Sequence, residues 1–147
     1  MPTRSAAVNA TLDKLAEELL GLATSNEPFD TAHVPFVVNL MGGAQPRARQ
    51  AMGALIARKL SRVTEEKRGA LVAAGAIEPL VALLSSAEAK AAEDAAGCLS
   101  NLAYKSDARS GVIAVAGAIE PLIALMSGAE SQAAGHALGC LGTLAHH

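Results

Sequence analysis

The sequence predicts an all-helical fold built from repeats, on three observations. Hydrophobic residues make up 51% of the chain but aromatics only 2%, namely Phe29, Phe36 and Tyr104. The core alphabet is therefore Ala, Leu, Val and Ile. Alanine has the highest helix propensity, and its small side chain lets helices approach closely, whereas sheets favour β-branched and aromatic residues. The second observation is an internal repeat, and the third is Gly and Pro punctuation at fixed places within it.

The segment Ala74-Gly75-Ala76-Ile77-Glu78-Pro79-Leu80-Val81-Ala82-Leu83-Leu84 recurs, at an offset of 42, as Ala116-Gly117-Ala118-Ile119-Glu120-Pro121-Leu122-Ile123-Ala124-Leu125-Met126. Laid without a gap, residues 67–105 and 109–147 share 21 identities in 39 positions. Most differences are core-conserving swaps such as Leu71 with Ile113, or surface changes. A period of this length is the signature of a solenoid, in which one unit cannot bury its apolar side without a stacked neighbour. A third, degenerate copy lies upstream: Val34-Pro35-Phe36-Val37-Val38-Asn39-Leu40-Met41 resembles the Pro-started segment. Ala51-Met52-Gly53-Ala54-Leu55 resembles Ala95-Ala96-Gly97-Cys98-Leu99, at an offset drifting between 43 and 44.

Taken in order, the chain opens on an amphipathic helix with Val8, Leu12, Leu15, Leu19 and Leu22 as its apolar stripe, ended by Ser25-Asn26-Glu27-Pro28. It reads as a cap on the first repeat or, over two heptads, as a short dimerising coil. Each repeat is expected to hold three helices. The first runs from Thr64, its N-cap, to Ala74 and stops at Gly75; its counterpart runs from Asp107 to Ala116 and stops at Gly117. The second starts at Ala76, with Pro79 in a first turn that has no use for its missing N–H, and ends near Leu84. The third and longest spans about Ala87 to Tyr104 after Ser85-Ser86, and about Ala129 to His146 after Ser127-Gly128. Its buried stripe is Ala91, Ala95, Cys98, Leu99 and Leu102. The divisions are 1–27 (N-terminal capping helix), 28–63 (degenerate first repeat), 64–105 (second repeat) and 106–147 (third repeat).

A short helix, a Gly turn, a Pro-started helix and a long helix within one such period resembles the armadillo repeat. Its most specific pieces here are Ala-Gly-Ala-Ile-Glu-Pro-Leu-Val-Ala-Leu-Leu at 74–84 and Ala96-Gly97-Cys98-Leu99-Ser100-Asn101-Leu102-Ala103. The resemblance covers about residues 31–147, strongly from 64. It implies a right-handed α-solenoid of about three armadillo-type repeats whose long third helices line a concave face. It also implies a protein–protein interaction scaffold that holds a partner segment, protein or peptide, along that face. In armadillo receptors for nuclear import signals the third helix carries Trp with Asn four residues later. Carried over, the Asn position is Asn101, Thr143 and Ala57, and the Trp position is Gly97, Gly139 and Gly53. The ladder is broken and the Trp slots are absent, which argues against recognition of that kind.

Three glycines at equivalent helical positions cost about 2 kcal/mol together. They are either a packing requirement or a groove floor that a partner backbone can approach. Around them stand Lys90, Glu93 and Asp94 in the second repeat, Gln132 and His136 in the third, and Arg49 and Gln50 in the first. That polar surface is either a solvated face or, with Gly53, Gly97, Asn101, Gly139 and Thr143, the partner-binding surface. Glu78 and Glu120 precede the prolines, where acidic side chains suit a helix N-terminus; they do not pair as acid and base. His136 and Cys140 have the i, i+4 spacing of a metal chelate. Cys98, the twin of Cys140, has Asp94 at that place instead, and both cysteines fall on the packing stripe. No metal or cofactor is expected.

Twelve basic and fourteen acidic residues give a net charge of −2, which offers no footprint for nucleic acid. No apolar run has membrane-spanning length. Cys98 and Cys140, one period apart and without a secretory signal, read as reduced and buried in a cytoplasmic, or else nuclear, protein. Met1–Ala10 faintly resembles a transit peptide, against which the acidic stretch 13–18 argues. Nothing supports catalysis: there is no phosphate loop and no nucleophile with an orienting base. Leu138, Leu141 and Leu144 include residues that would meet a next repeat. The expectation is therefore a fragment of a longer array or a self-associating end, with self-association through the solenoid ends or the first helix as the alternative function.

Overall fold

The hydroxyl of Thr64, set in extended backbone, accepts the Lys67 N–H at 3.2 Å, so the first repeat helix begins where the capping chemistry placed it. Its twin begins the same way, with Ser106 accepting the Arg109 N–H at 3.2 Å. In the computed structural model, residues 4–25, 29–127 and 131–145 are described, with side chains over 6–25, 29–127 and 133–145. The helices are α1 (Arg4–Thr24), α2 (Val34–Leu40), α3 (Arg47–Ser61), α4 (Glu65–Ala73), α5 (Ile77–Leu83), α6 (Ala89–Ala103), α7 (Asp107–Val115), α8 (Ile119–Met126) and α9 (Ser131–Ala145). No strand occurs among the described residues. The expected end of the first helix at Asn26-Glu27-Pro28, the expected start of the last helix at Ala129 after Gly128, and the tail His146-His147 lie outside them.

Gly75 and Gly117 end α4 and α7 in the left-handed region, with φ of +85 and +92 respectively, a conformation that a side chain would strain. The Gly75 N–H donates to Val72 O and the Ala76 N–H to Leu71 O, both at 3.0 Å, the paired bonds of a Schellman stop. The turn then releases the chain into the Pro-bearing α5 and α8. The long helix starts at Ala89, later than expected, because the Glu88 N–H is taken by the Ser86 hydroxyl at 3.1 Å.

Helices α3, α6 and α9 are each 15 residues long and begin one period apart, at Arg47, Ala89 and Ser131. They pack side by side, α3 on α6 and α6 on α9. The buried stripe Ala91, Ala95, Cys98, Leu99 and Leu102 is as expected. The first repeat departs from the three-helix plan. Where its first helix should be, the chain makes only a 3-10 turn, Thr31–His33, with the Asp30 carboxylate accepting the Ala32 N–H at 2.9 Å. Helix α1 lies along α3 instead.

On α1 the expected stripe splits. Leu19 is buried together with Ala16, and Leu12, Leu20 and Ala23 are half-buried, whereas Val8, Leu15 and Leu22 are exposed. Spacing alone groups all five stripe positions. Packing against one helix selects the narrower arc that also holds the two alanines. A polar clamp completes this contact: Arg49 Nε donates to Asp13 Oδ1 at 3.0 Å, and its Nη1 donates to Gln45 Oε1 at 2.7 Å.

The joints between repeats solve one problem in two ways. A helix end leaves carbonyls without partners. At the end of α3 the Ser61 carbonyl accepts Arg68 Nε at 2.7 Å, and at the end of α6 the Ala103 carbonyl accepts the Ser110 hydroxyl at 3.2 Å. Arg68 and Ser110 are twins one period apart, as are Ser61 and Ala103. Different side chains therefore close the same joint.

Candidate functional site

The long helices form the wall on which a site has to be sought, and their buried positions define which residues are equivalent. Arg49, Gly53, Ala54, Ile56, Ala57, Leu60 and Ser61 are buried on α3; their counterparts at an offset of 42 are all buried on α6. The offset along this helix is therefore 42, not 43 to 44, while α2 and α5 keep 43. One extra residue in the α2–α3 connection absorbs the change. The expected triple of equivalent glycines is corrected to a pair, Gly97 and Gly139, with Leu55 as their counterpart. The counterpart of Asn101 and Thr143 becomes Lys59 rather than Ala57.

Gly53 has a separate reason. A Cβ there would stand 2.8 Å from Met41 Cγ, 2.9 Å from Leu40 Cβ and 3.2 Å from the Val37 carbonyl, so glycine lets α2 close on α3. At Gly97 a Cβ would meet Arg58 Nε at 2.9 Å and Cδ at 3.2 Å. The smooth place on α6 is thus filled by an arginine reaching across from α3. At Gly139 the nearest atom would be Ser100 Oγ at 3.7 Å, ordinary contact on an exposed surface.

Arg58, which repeat spacing does not single out, organises the middle of the wall. Its Nη1 donates to Asp94 Oδ1 at 2.8 Å and lies 3.6 Å from Glu93 Oε1, and its Nη2 lies 3.0 Å from His136 Nε2. Lys90 Nζ stands 3.4 Å from Glu93 and 3.3 Å from Asp94. One guanidinium therefore joins α3, α6 and α9. Burial disfavours the charged His136 ring, and Arg58⁺ beside it adds to the effect, so His136 is held below the ordinary histidine pKa. Two cations and two carboxylates cancel here.

Asp94 is buried and faces this bridge, so it is no groove-flanking contact for a partner. Arg49 is likewise corrected: it is buried under α1. Gln50 donates to the Gly42 carbonyl at 2.8 Å and lines a cleft of about 290 Å³ with the α5–α6 turn, away from the long-helix wall. The side chain of Gln132 lies outside the described residues.

A cleft of about 270 Å³ opens on the wall, lined by Arg58, Arg62, Gly97, Ser100, Asn101 and His136. It adjoins a second of about 280 Å³, lined by Ala23, Thr24, Lys59, Arg62 and Val63. Asn101 donates Nδ2 to the buried Ser61 hydroxyl at 3.0 Å, which orients its amide. Thr143 donates back to the Gly139 carbonyl at 3.0 Å. Cys98 and Cys140 are free and buried, and burial pushes their thiols up to about 12 and about 11. Among the described residues no three His, Cys, Asp or Glu side chains are grouped so that they could hold a metal ion. No single described helix is long and apolar enough to cross a membrane.

With that geometry in view, a family model described as Armadillo/beta-catenin-like repeat matches residues 64–104. Residues 64–104 thus carry an armadillo repeat. Solved structures superpose on most of its length. An engineered protein at 25% identity has a TM-score of 0.77 and is matched over 90% of this chain and 55% of its own. A second engineered protein, also at 25%, scores 0.81 over 99% of this chain and 35% of its own. A designed armadillo repeat protein in complex with the peptide (KR)4 scores 0.69 at 19% identity, over 92% of this chain and 68% of its own. The chain thus spans about half the length of the first of these structures. No curated protein sequence matches it. These superpositions give the fold, an α-solenoid with its long helices side by side.

Proposed function

We propose that this chain is a non-enzymatic protein-interaction scaffold that holds an extended, acidic segment of a partner against the wall of α3, α6 and α9. The observation that carries the reading is the sign of the charge left over there. The Arg58–Asp94–Glu93–Lys90 cluster is internally neutral, whereas Lys59 and Arg62 line the adjoining clefts and join no ion pair among the described residues. Complementary charge steers encounter and fixes register. Asn101, held by Ser61, keeps its carbonyl and second N–H for a passing backbone. The designed relative is in complex with (KR)4, a basic peptide; Lys59 and Arg62 suit the opposite sign. Free, buried cysteines fit a reducing compartment such as the cytoplasm.

Fluorescence anisotropy with labelled (DE)4 and (KR)4 peptides tests this. The expected result is preference for (DE)4, weakened about tenfold by Arg62→Glu through reversal of the steering charge. Preference for (KR)4, or binding indifferent to Arg62→Glu, would refute it.

A further inference from the structure

The polar cleft between α3, α6 and α9 is richer in hydrogen-bond donors than a carboxylate side chain requires. Among the described residues the Arg62 guanidinium joins no ion pair and the Ser100 hydroxyl no hydrogen bond, and both line the cleft. Asn101 keeps a second N–H beyond the one it gives to Ser61. Gly97 leaves room for the Arg58 guanidinium, whose Nη2 stands 3.0 Å from His136 Nε2. An arginine only donates, so Nε2 accepts and the imidazole is neutral, with its proton on Nδ1. Glu93 and Asp94 do not line the cleft; Arg58 and Lys90 hold them.

We infer that this cleft binds a phosphate monoester, carried as a phosphoserine in the acidic partner segment, and that its binding brings a proton from solvent onto His136. The inference rests on the acidic-segment reading of the same wall. Donor number favours phosphate, which offers three acceptor oxygens where a carboxylate offers two. The donors also come from three helices, not from one planar fork. Charge calls for the proton. Arg58 and Lys90 cancel Glu93 and Asp94, so Arg62 is the uncompensated cation lining the cleft, enough for a carboxylate. A phosphate monoester carries about −1.5 to −2 at pH 7, and an imidazolium supplies the difference. An anion oxygen entering between Nη2 and Nε2 accepts a bond from each once Nε2 is protonated. Without an anion, burial, Arg58 and Lys90 keep the ring neutral, while Glu93 and Asp94 favour its charge. Asp107 and Arg109 on α7 and Glu120 on α8 do not act on it.

Fluorescence anisotropy of the full chain with (DE)4, and with (DE)4 whose third Asp is replaced by Ser or by phosphoserine, tests this. The phosphoserine peptide is expected to bind about tenfold more tightly than the Ser peptide, an advantage that Arg62→Gln largely removes. Calorimetry in buffers of differing ionisation enthalpy then counts protons at pH 7.5, where the monoester is already a dianion. The phosphoserine peptide should take up roughly half a proton to one, and (DE)4 none; His136→Gln, shown to be folded by circular dichroism, should abolish the uptake. Equal binding of the Ser and phosphoserine peptides, with (DE)4 still preferred over (KR)4, overturns the inference and leaves the acidic-segment reading intact. Preference for (KR)4 overturns both. Proton uptake that is absent, or that persists in His136→Gln, overturns the part given to His136. Inorganic phosphate that competes at the phosphopeptide's own concentration overturns the inference in favour of a free-anion site.

Discussion

Ile77 and Ile119 sit in the same heptapeptide, Ala-Gly-Ala-Ile-Glu-Pro-Leu, at the same place in two successive repeats, yet one is 5% exposed and the other 42%. Sequence, local structure and caps are shared. The difference comes from the neighbour: α4–α6 is held between two other units, whereas among the described residues α7–α9 is packed on one side. Burial in a solenoid is thus a property of the stack, and so is most of the energy that burial contributes.

The comparison can be strained at graded depths. The largest contrast is expected between Leu99→Ala and Leu141→Ala, twin leucines on α6 and α9. Leu99 is fully buried, so its truncation should cost about 3 kcal/mol, whereas the half-buried Leu141 should cost about 1 kcal/mol. Urea titration reads both. Equal losses would mean that the outer helix packs as fully as the inner one.

The caps sharpen the contrast by not sharing it. Thr64→Ala and Ser106→Ala each remove a side-chain acceptor from the first turn of α4 or α7, a local bond indifferent to stacking. Each should cost about 1 kcal/mol, the same within error, by the same titration.

A smaller effect should mark the bridge between the units. His136 has its pKa lowered, first by burial and then by Arg58; Lys90 opposes its protonation as well, while Glu93 and Asp94 favour it. The unfolded chain then takes up the proton first. The stability due to the neutral ring is complete above the ordinary histidine value of 6.5 and is lost as pH falls through and below it. Thermal melts at pH 7.5 and pH 5.0 should show a decline that His136→Gln reduces. An unchanged slope in the variant would dissociate His136 from the bridge.

Nearly all of the second and third repeats was legible in the sequence, because their boundaries rest on local chemistry: a hydroxyl cap, a left-handed glycine, a proline in a first turn. The first repeat was legible only in outline. Its α2–α3 connection gains a residue, and pairing Gly53 with Gly97 concealed that the true twin is Leu55. That slip also hid Arg58, whose counterpart is Ser100, and Lys59, the counterpart of Asn101. Aligning buried stripes rather than glycines would have found them. Arg49 misled for another reason. A buried arginine looks like a surface one until the carboxylate that pairs with it, Asp13 on a separate helix, is placed in space. On α1, spacing identified the apolar positions but not which of them a single neighbour would take.

The account stands on the outer repeat being supported from one side. Native-state hydrogen exchange measures this directly. Amides in the middle of α9 are expected to exchange at least roughly tenfold faster than the equivalent amides of α6, through an opening that leaves α6 closed. Equal protection along the two helices would contradict it.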